Sequence, residues 1–137
     1  MGVFSRSPKA QKTILVIDDE PKFCRMIETT LSHYGYRVIT ARSGYTGIEM
    51  ADRLQPDIIL CDVNMEDGDG YDALAGVRNN AVIADTPFLL MTQAPSSASL
   101  LQGLSLSVDD YLPKPFTFEQ LLEALKHAFK ARPRESE

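Results

Sequence analysis

The sequence predicts an α/β fold in which a five-stranded, doubly wound parallel sheet carries five helices. Short apolar runs alternate five times with longer segments whose apolar residues recur at helical spacing. The runs "TILVI" (13–17) and "DIILCD" (57–62) are almost continuously apolar, which is typical of strands buried on both faces. Repeated strand–helix alternation favours a parallel sheet with helices on both of its faces.

Each element has a signal of its own. Pro21 suits the first turn of a helix that Gly35 ends. Ser43 is a favoured N-cap for the second helix, and the last helix ends before Pro133. The predicted strands are 13–17, 36–41, 57–62, 86–92 and 110–112, and the predicted helices are 21–34, 43–54, 70–79, 96–106 and 117–131. The apolar residues at helical spacing in the first and last helices are Phe23, Ile27, Leu31 and Tyr34, and Phe118, Leu121, Leu122, Leu125 and Phe129.

Length and composition fit one soluble domain. A chain of 137 residues can bury a core without disulfides or metals. We expect a domain over 12–131, a flexible arm over 1–11, and a tail or the start of a linker over 132–137. The net charge of −5 argues against nucleic-acid binding by this chain.

The cysteines and the apolar runs predict a cytoplasmic protein. Cys24 and Cys61 lack disulfide or zinc spacing and are expected to be small core residues. The apolar runs are too short to span a membrane, and the first twelve residues do not form a signal peptide.

Polar residues follow the ends of the predicted strands. Asp18 and Asp19 follow the first strand, Asp62 ends the third, Thr92 ends the fourth and Lys114 follows the fifth. Because folds of this class bind ligands at the carboxyl ends of their strands, we expect these side chains to converge. Three carboxylates, with no His or Cys among the polar residues at these strand ends, favour magnesium, together with a phosphate group. Helix capping is the alternative for Asp18 or Asp19, but capping does not explain three carboxylates at two strand ends.

The chain resembles the receiver domains of bacterial two-component response regulators over roughly residues 12–131. The resemblance rests on four elements in the family's order: "IDDE" (17–20), Asp62 within "LCDVNMEDGDGYD" (60–72), Thr92, and Lys114 within "DYLPKPF" (110–116). It implies the flavodoxin-like version of the predicted fold.

The resemblance also implies a chemical role for each acidic residue. Asp62 would be the phosphoacceptor, whose carboxylate attacks phosphorus to give an acyl phosphate. Asp19 would bind Mg²⁺ directly and Asp18 through water. Asp62 and the backbone carbonyl of Asn64 would complete the protein ligands.

Further roles are implied around this centre. Lys114 and Thr92 would act with the phosphoacceptor as catalytic residues, Lys114 by contributing positive charge to the phosphoryl oxygens. Thr92 and Tyr111 would form the switch that reports phosphorylation. Gln93 and Asn64 would tune the lifetime of the phosphoryl group. From the residues alone, a simple strand-end threonine is the alternative for Thr92, for which only the spacing favours the site. For Tyr111 the residues alone favour a half-buried core aromatic. The Lys114–Pro115 bond is expected to be cis, as is usual in the family.

The implied function is a signalling switch rather than an enzyme. A sensor histidine kinase or a histidine phosphotransfer protein would phosphorylate Asp62, and the surface of the fourth helix, fifth strand and fifth helix would change. A homodimer or an output partner is expected at that surface, and no membrane. One alternative is a degenerate receiver that binds proteins independently of phosphorylation. Another is a hydrolase that turns over small phosphorylated substrates.

Two rival motifs fail on inspection. "GDGYDA" (68–73) fits a dinucleotide-binding fingerprint, but the neighbouring Glu66, Asp67 and Asp69 would repel a pyrophosphate. The same stretch resembles a calcium-binding loop, yet Asp67 stands at its glycine position and Ala73 at its final glutamate.

Departures from the family pattern raise specific expectations. Glu66 stands where the family usually has proline, and Gln93 where it has a small residue. Ser107 replaces a common helix-ending glycine, so we expect strain or an early helix end there. The fourth helix, 96–106, carries no charge and cannot form the ion pairs through which many members dimerise. Its leucines at 100, 101 and 104 either form an exposed apolar contact or face the core.

Overall fold

The predicted α/β fold is confirmed by the computed structural model, which describes residues 11–65, 68–93 and 97–131. The strands are β1 (Thr13–Ile17), β2 (Arg37–Ala41), β3 (Ile58–Asp62), β4 (Asn64–Met65), β5 (Gly68–Asp69), β6 (Phe88–Thr92) and β7 (Asp110–Pro113). The helices are α1 (Pro21–His33), α2 (Gly44–Leu54), α3 (Gly70–Arg78), α4 (Ser97–Ser105) and α5 (Phe118–Ala131). The predicted arm (except Gln11), the tail and Glu66 lie outside the described residues.

Five strands form one parallel sheet in the order β2-β1-β3-β6-β7. The first strand therefore lies inside the sheet, and the strand order changes direction at β1. Alternate residues of the central strands point to opposite faces, as the period of a strand requires. Both faces carry a buried apolar cluster, which explains why β1 and β3 are almost continuously apolar in sequence.

The two clusters divide the helices between the faces. Helices α1 and α5 pack on one face, through Ile27 and Leu31 on α1 and Leu121 and Leu125 on α5. Helices α2 and α3 pack on the other, where Ala51, Leu74 and Val77 are buried. Cys24 and Cys61 are buried and free, as predicted. Within the described part of the chain, no helix has both the length and the apolarity needed to cross a membrane.

The helix signals were accurate to within one or two residues. Pro21 occupies the first turn of α1, and the Ser43 hydroxyl caps α2 by accepting a hydrogen bond from the Thr46 amide at 3.1 Å. The prediction that Tyr34 is part of the first helix is corrected: Tyr34 caps the C-terminus of α1 and is 56% exposed. Its ring lies 4.8 Å from that of Phe118, so it packs on the surface instead of in the core.

A short antiparallel ribbon was not predicted. Asn64 pairs with Asp69, and Met65 with Gly68, so that β4 and β5 form a hairpin after β3. Strands of two residues are too short to show a sequence period. Gly70 follows the ribbon, where a Cβ atom would lie 2.6 Å from the Asp62 carbonyl oxygen. Gly70, the second glycine of the stretch that resembles a nucleotide-binding fingerprint, therefore serves close packing beside β3.

Helix α4 ends in a Schellman motif that has serine at the position favouring glycine. The Val108 amide donates to the Gly103 carbonyl at 2.9 Å, and the Ser107 amide donates to the Leu104 carbonyl at 3.1 Å. Ser107 has a φ of 60°, in the left-handed region that costs an L-residue free energy. The expected strain at the end of the fourth helix is therefore present.

Ser107→Gly should stabilise the fold by about 0.5 kcal/mol, because relief of the left-handed strain exceeds the entropy that glycine adds to the unfolded chain. The matched control is Ser105→Gly, inside the last turn of α4. This substitution should destabilise the fold by about 0.5 to 1 kcal/mol. Urea unfolding of both variants and the wild type measures the difference. A Ser107→Gly variant no more stable than the wild type would contradict the strain.

Candidate functional site

Three carboxylates meet where β1 and β3 end. These strands are neighbours in the sheet, so Asp18 and Asp19, after β1, lie beside Asp62, the last residue of β3. One carboxylate oxygen from each residue can be chosen so that all lie within 4.8 Å of one another. Asp18 is 1% exposed and Asp62 8% exposed. The sheet thus gathers negative charge at its carboxyl edge, as the strand-end pattern predicted.

Lys114 lies between two of these carboxylates. Its Nζ is 3.1 Å from Asp18 Oδ2 and 3.2 Å from Asp62 Oδ1. The Lys114 amide also donates to the Thr92 carbonyl at 2.7 Å, which attaches the segment after β7 to the end of β6. The ammonium lies 4.4 Å from the centre of the Phe23 ring, a cation–π contact that sequence reasoning missed. The Lys114–Pro115 peptide bond is cis, as the resemblance implied.

Burial and neighbouring charges shift the pKa values of both Asp62 and Lys114. Burial raises the pKa of the Asp62 carboxyl above its ordinary value, Asp18 adds to the rise, and Lys114 opposes it. Burial alone would lower the pKa of Lys114, but the carboxylates of Asp18 and Asp62 outweigh it and raise that pKa. The lysine therefore stays charged, while Asp62 would gain from a second cation nearby.

An open cleft leads to these charges. It is lined by Asp18, Asp19, Glu20, Pro21, Asp62, Asn64, Gln93 and Lys114. The Gln93 side chain is exposed at the rim, and so is Asn64 on the ribbon. Glu20 belongs to the lining although it was not predicted from the sequence as a site residue. Its position directly after the acidic pair, in "DDE", is the sequence signal that could have identified it.

The residue set fits a magnesium ion. Carboxylate oxygens such as those of Asp18, Asp19 and Asp62 are the hard ligands that Mg²⁺ prefers. The open cleft, which Asn64 also lines, leaves room for the waters that Mg²⁺ retains. Lys114 neutralises only part of the charge of the three carboxylates. The donor chemistry and the residual negative charge are thus both compatible with a divalent cation.

Neither of the two predicted switch residues is among the residues that line the cleft. Thr92 is buried at the end of β6, directly before Gln93. Tyr111 is half-buried on β7, and its hydroxyl shares a 2.9 Å hydrogen bond with that of Tyr71 on α3. Burial and this hydrogen bond both raise the pKa of Tyr111. No sequence signal identified Tyr71 as its partner, because the two residues belong to elements far apart in the chain.

Comparison with known proteins finds one matching family model and relatives that are transcriptional regulators. A family model described as the response regulator receiver domain matches residues 14–126. The transcriptional regulatory protein KdpE of Mycobacterium tuberculosis is 33% identical over 117 residues, which are 85% of this chain and 50% of that protein. The DNA-binding dual master transcriptional regulator RpaA of Synechocystis sp. is 34% identical over 113 residues, 82% of this chain and 47% of that protein. The chain spans about half the length of these curated relatives.

Solved structures agree with the sequence comparison. The chemotaxis protein CheY4 of Vibrio cholerae superposes with a TM-score of 0.83 at 30% identity, covering 86% of this chain and 98% of that one. The receiver domain of the sensor histidine kinase PA1611 from Pseudomonas aeruginosa superposes with a TM-score of 0.79 at 28% identity, covering 88% and 98%. That structure has a magnesium ion coordinated in its active site cleft.

Proposed function

This chain belongs to the response regulator receiver domain family, and we propose that it is a switch in which Asp62 accepts a phosphoryl group. The proposed receiver covers 12–131. One observation carries the assignment: the half-buried Lys114 ammonium lies about equally far from Asp18 and Asp62, with Asp19 beside them. One open cleft thus holds the nucleophilic carboxylate of Asp62, the fixed positive charge of Lys114 and a pair of carboxylates that can bind a metal.

Each side chain has a proposed task in phosphoryl transfer. The Asp62 carboxylate attacks phosphorus from the cleft and becomes an acyl phosphate as the donor's leaving group departs. Lys114 holds positive charge where the phosphoryl oxygens arrive. Asp18, Asp19, Asp62 and the Asn64 carbonyl would hold Mg²⁺. The ion, when bound, supplies charge neutralisation that lets an anionic carboxylate approach an anionic phosphoryl group.

The signal would leave through the α4–β7–α5 surface. Lys114 is covalently continuous with β7, so a phosphoryl group on Asp62 that draws Lys114 toward it would shift that strand. Thr92 would supply a hydroxyl to the phosphoryl group, and Tyr111 would change its position by breaking the hydrogen bond to Tyr71. The Leu101 and Leu104 side chains on α4 are 67% and 68% exposed, so the interpretation that all three leucines of this helix face the core is wrong.

The proposed partners follow from the family. A sensor histidine kinase or a histidine phosphotransfer protein would donate the phosphoryl group. An output domain or a separate partner would bind the α4–β7–α5 surface, with a second copy of the chain as the alternative occupant.

Incubation with magnesium and acetyl phosphate tests the proposal. Intact-mass analysis should show one added phosphoryl group per chain, labile to hydroxylamine as an acyl phosphate is. Sustained release of inorganic phosphate over many turnovers would favour the hydrolase. Failure of the folded, magnesium-saturated wild type to accept any phosphoryl group from acetyl phosphate or from a histidine phosphotransfer protein would favour the degenerate receiver.

Gln93→Ala should shorten the half-life of the acyl phosphate severalfold. Gln93 lines the cleft from its exposed rim, where its bulk would obstruct the in-line approach of water to phosphorus. The same crowding should make the alanine variant faster to phosphorylate with acetyl phosphate. The measurement is loss of the phosphoryl group over time, in magnesium, after removal of the donor. A longer half-life in the variant would instead mean that the amide positions the attacking water.

A further inference from the structure

A groove between β7 and α5 lies outside the phosphorylation cleft and combines two kinds of side chain. Its lining includes the apolar surfaces of Tyr111, Pro113 and Ala124, and the carboxylates of Asp110, Glu119 and Glu123. Of the described residues that line it, none is a lysine or an arginine, and His127 lies at its far end along α5. The groove is therefore both apolar and negatively charged.

Helix α4 lies alongside this groove and adds apolar surface. The Tyr111 hydroxyl is so close to α4 that a Cβ atom at Gly103 would collide with it. Leu101 and Leu104 project from the same helix and are largely exposed. The described residues of α4 carry no charged side chain. The helix that contacts Tyr111 of the acidic groove thus also carries exposed leucines, and exposed apolar side chains of this kind mark binding sites.

Charge decides between the occupants of this surface. In a symmetric dimer each copy contributes the same patch, so the acidic grooves of both copies would enter one interface. If α4 of one copy entered the groove of the other, its uncharged face would desolvate Asp110, Glu119 and Glu123 without an opposite charge, which is costly. A segment that carries both lysine or arginine and apolar side chains satisfies the carboxylates and covers the leucines at once.

We propose that the β7–α5 groove and the exposed leucines of α4 bind a basic, amphipathic protein segment, and not a second copy of this chain. The inference rests on the proposed function and names the chemistry of the output partner. The groove is coupled to the cleft because Tyr111, in its lining, and Lys114, beside Asp62, belong to one short segment.

Two labelled peptides provide the probe. One is a helical peptide with leucines at i, i+3, i+4 and i+7 and lysines on its flanks, and the other has glutamates in place of the lysines. Fluorescence anisotropy is measured with the full chain in magnesium, with and without beryllofluoride. The lysine peptide should bind roughly tenfold more tightly than the glutamate peptide. Glu119→Gln/Glu123→Gln should weaken that binding roughly tenfold, as the loss of two exposed ion pairs allows.

The matched control makes the same change of net charge elsewhere. Glu28 on α1 and Glu49 on α2 are both exposed and lie outside the groove. Glu28→Gln/Glu49→Gln should change the affinity by less than about twofold, because neither carboxylate lines the groove and salt screens exposed charges that make no direct contact. Equal losses in the two double variants would mean that only net charge matters and would overturn the proposal. So would the absence of any preference between the two peptides.

Two further outcomes separate this inference from the proposed function. If Asp62 accepts no phosphoryl group but Glu119→Gln/Glu123→Gln, the groove variant, still binds the lysine peptide more weakly than the wild type, the proposed function fails and the groove assignment stands. If Asp62 is phosphorylated and the groove variant binds like the wild type, only the groove assignment fails. A wild-type dimer, detected by light scattering, that the lysine peptide does not dissociate would identify a second copy as the occupant.

Discussion

We expect Asp62→Ala to abolish transfer of the phosphoryl group from acetyl phosphate in the presence of magnesium. Asp62 is the carboxylate that ends β3 at the base of the cleft, and Lys114 Nζ lies 3.2 Å from its Oδ1. Alanine removes the nucleophile itself, so no adjustment of metal or donor concentration should restore the product. Intact-mass analysis measures the outcome, and circular dichroism verifies that the variant is folded.

A control aspartate and a metal-ligand variant make this result specific. Asp85 is exposed and precedes β6, at the end of the sheet opposite to the cleft. Asp85→Ala should therefore be phosphorylated like the wild type. Asp19→Ala should be phosphorylated more slowly and recover partly at higher magnesium concentration, because it weakens the metal site and leaves the nucleophile in place. If Asp62→Ala accepts the phosphoryl group at the wild-type rate, Asp62 is not the acceptor.

We expect Lys114→Met to have the second large effect, on stability as well as on phosphorylation. Methionine keeps an aliphatic chain over the Phe23 ring but leaves the buried Asp18 carboxylate without its 3.1 Å ion pair. Removing one partner from a buried pair typically costs several kcal/mol, and the open cleft reduces this to about 2 kcal/mol in metal-free protein. Magnesium should recover part of that loss, since it supplies positive charge to the same carboxylates. Phosphorylation should be slower at every magnesium concentration.

The pH dependence of stability tests the same ion pairs with a definite sign. The folded-state pKa of Lys114 is raised above its ordinary 10.5. Its stabilisation is therefore complete below about pH 10.5 and is lost as the pH rises through the raised folded-state value. In urea unfolding, the stability difference between the wild type and Lys114→Met should shrink in that alkaline range. The control is Lys126→Met, an exposed position on α5, which should lose less than about 0.5 kcal/mol at any pH. A Lys114→Met variant as stable as this control at neutral pH would contradict the ion-pair account.

The strands and helices could be predicted because their signals are local. The continuous apolar runs of β1 and β3 reflect burial on both faces, and Pro21 and Ser43 mark helix starts through backbone geometry and capping. The ribbon of β4 and β5 escaped prediction because two-residue strands have no readable period. Tyr34 was predicted to be one of the helically spaced apolar residues of α1, but the helix ends one residue before it. Local spacing cannot locate a helix end to one residue.

The positions of Asp18, Asp19 and Asp62 at the carboxyl ends of buried strands can be predicted from local sequence, because an apolar run followed by an acidic residue is visible along the chain. The contact of Lys114 with both Asp18, 96 residues earlier, and Asp62 is visible only in the folded chain. The same is true of the pairing of Tyr111 with Tyr71 and of the exposure of Leu101 and Leu104. These features depend on the order of the strands in the sheet and on the positions of the crossover helices. Local hydrophobic periodicity encodes which face of an element is buried, but not which distant side chain it will meet.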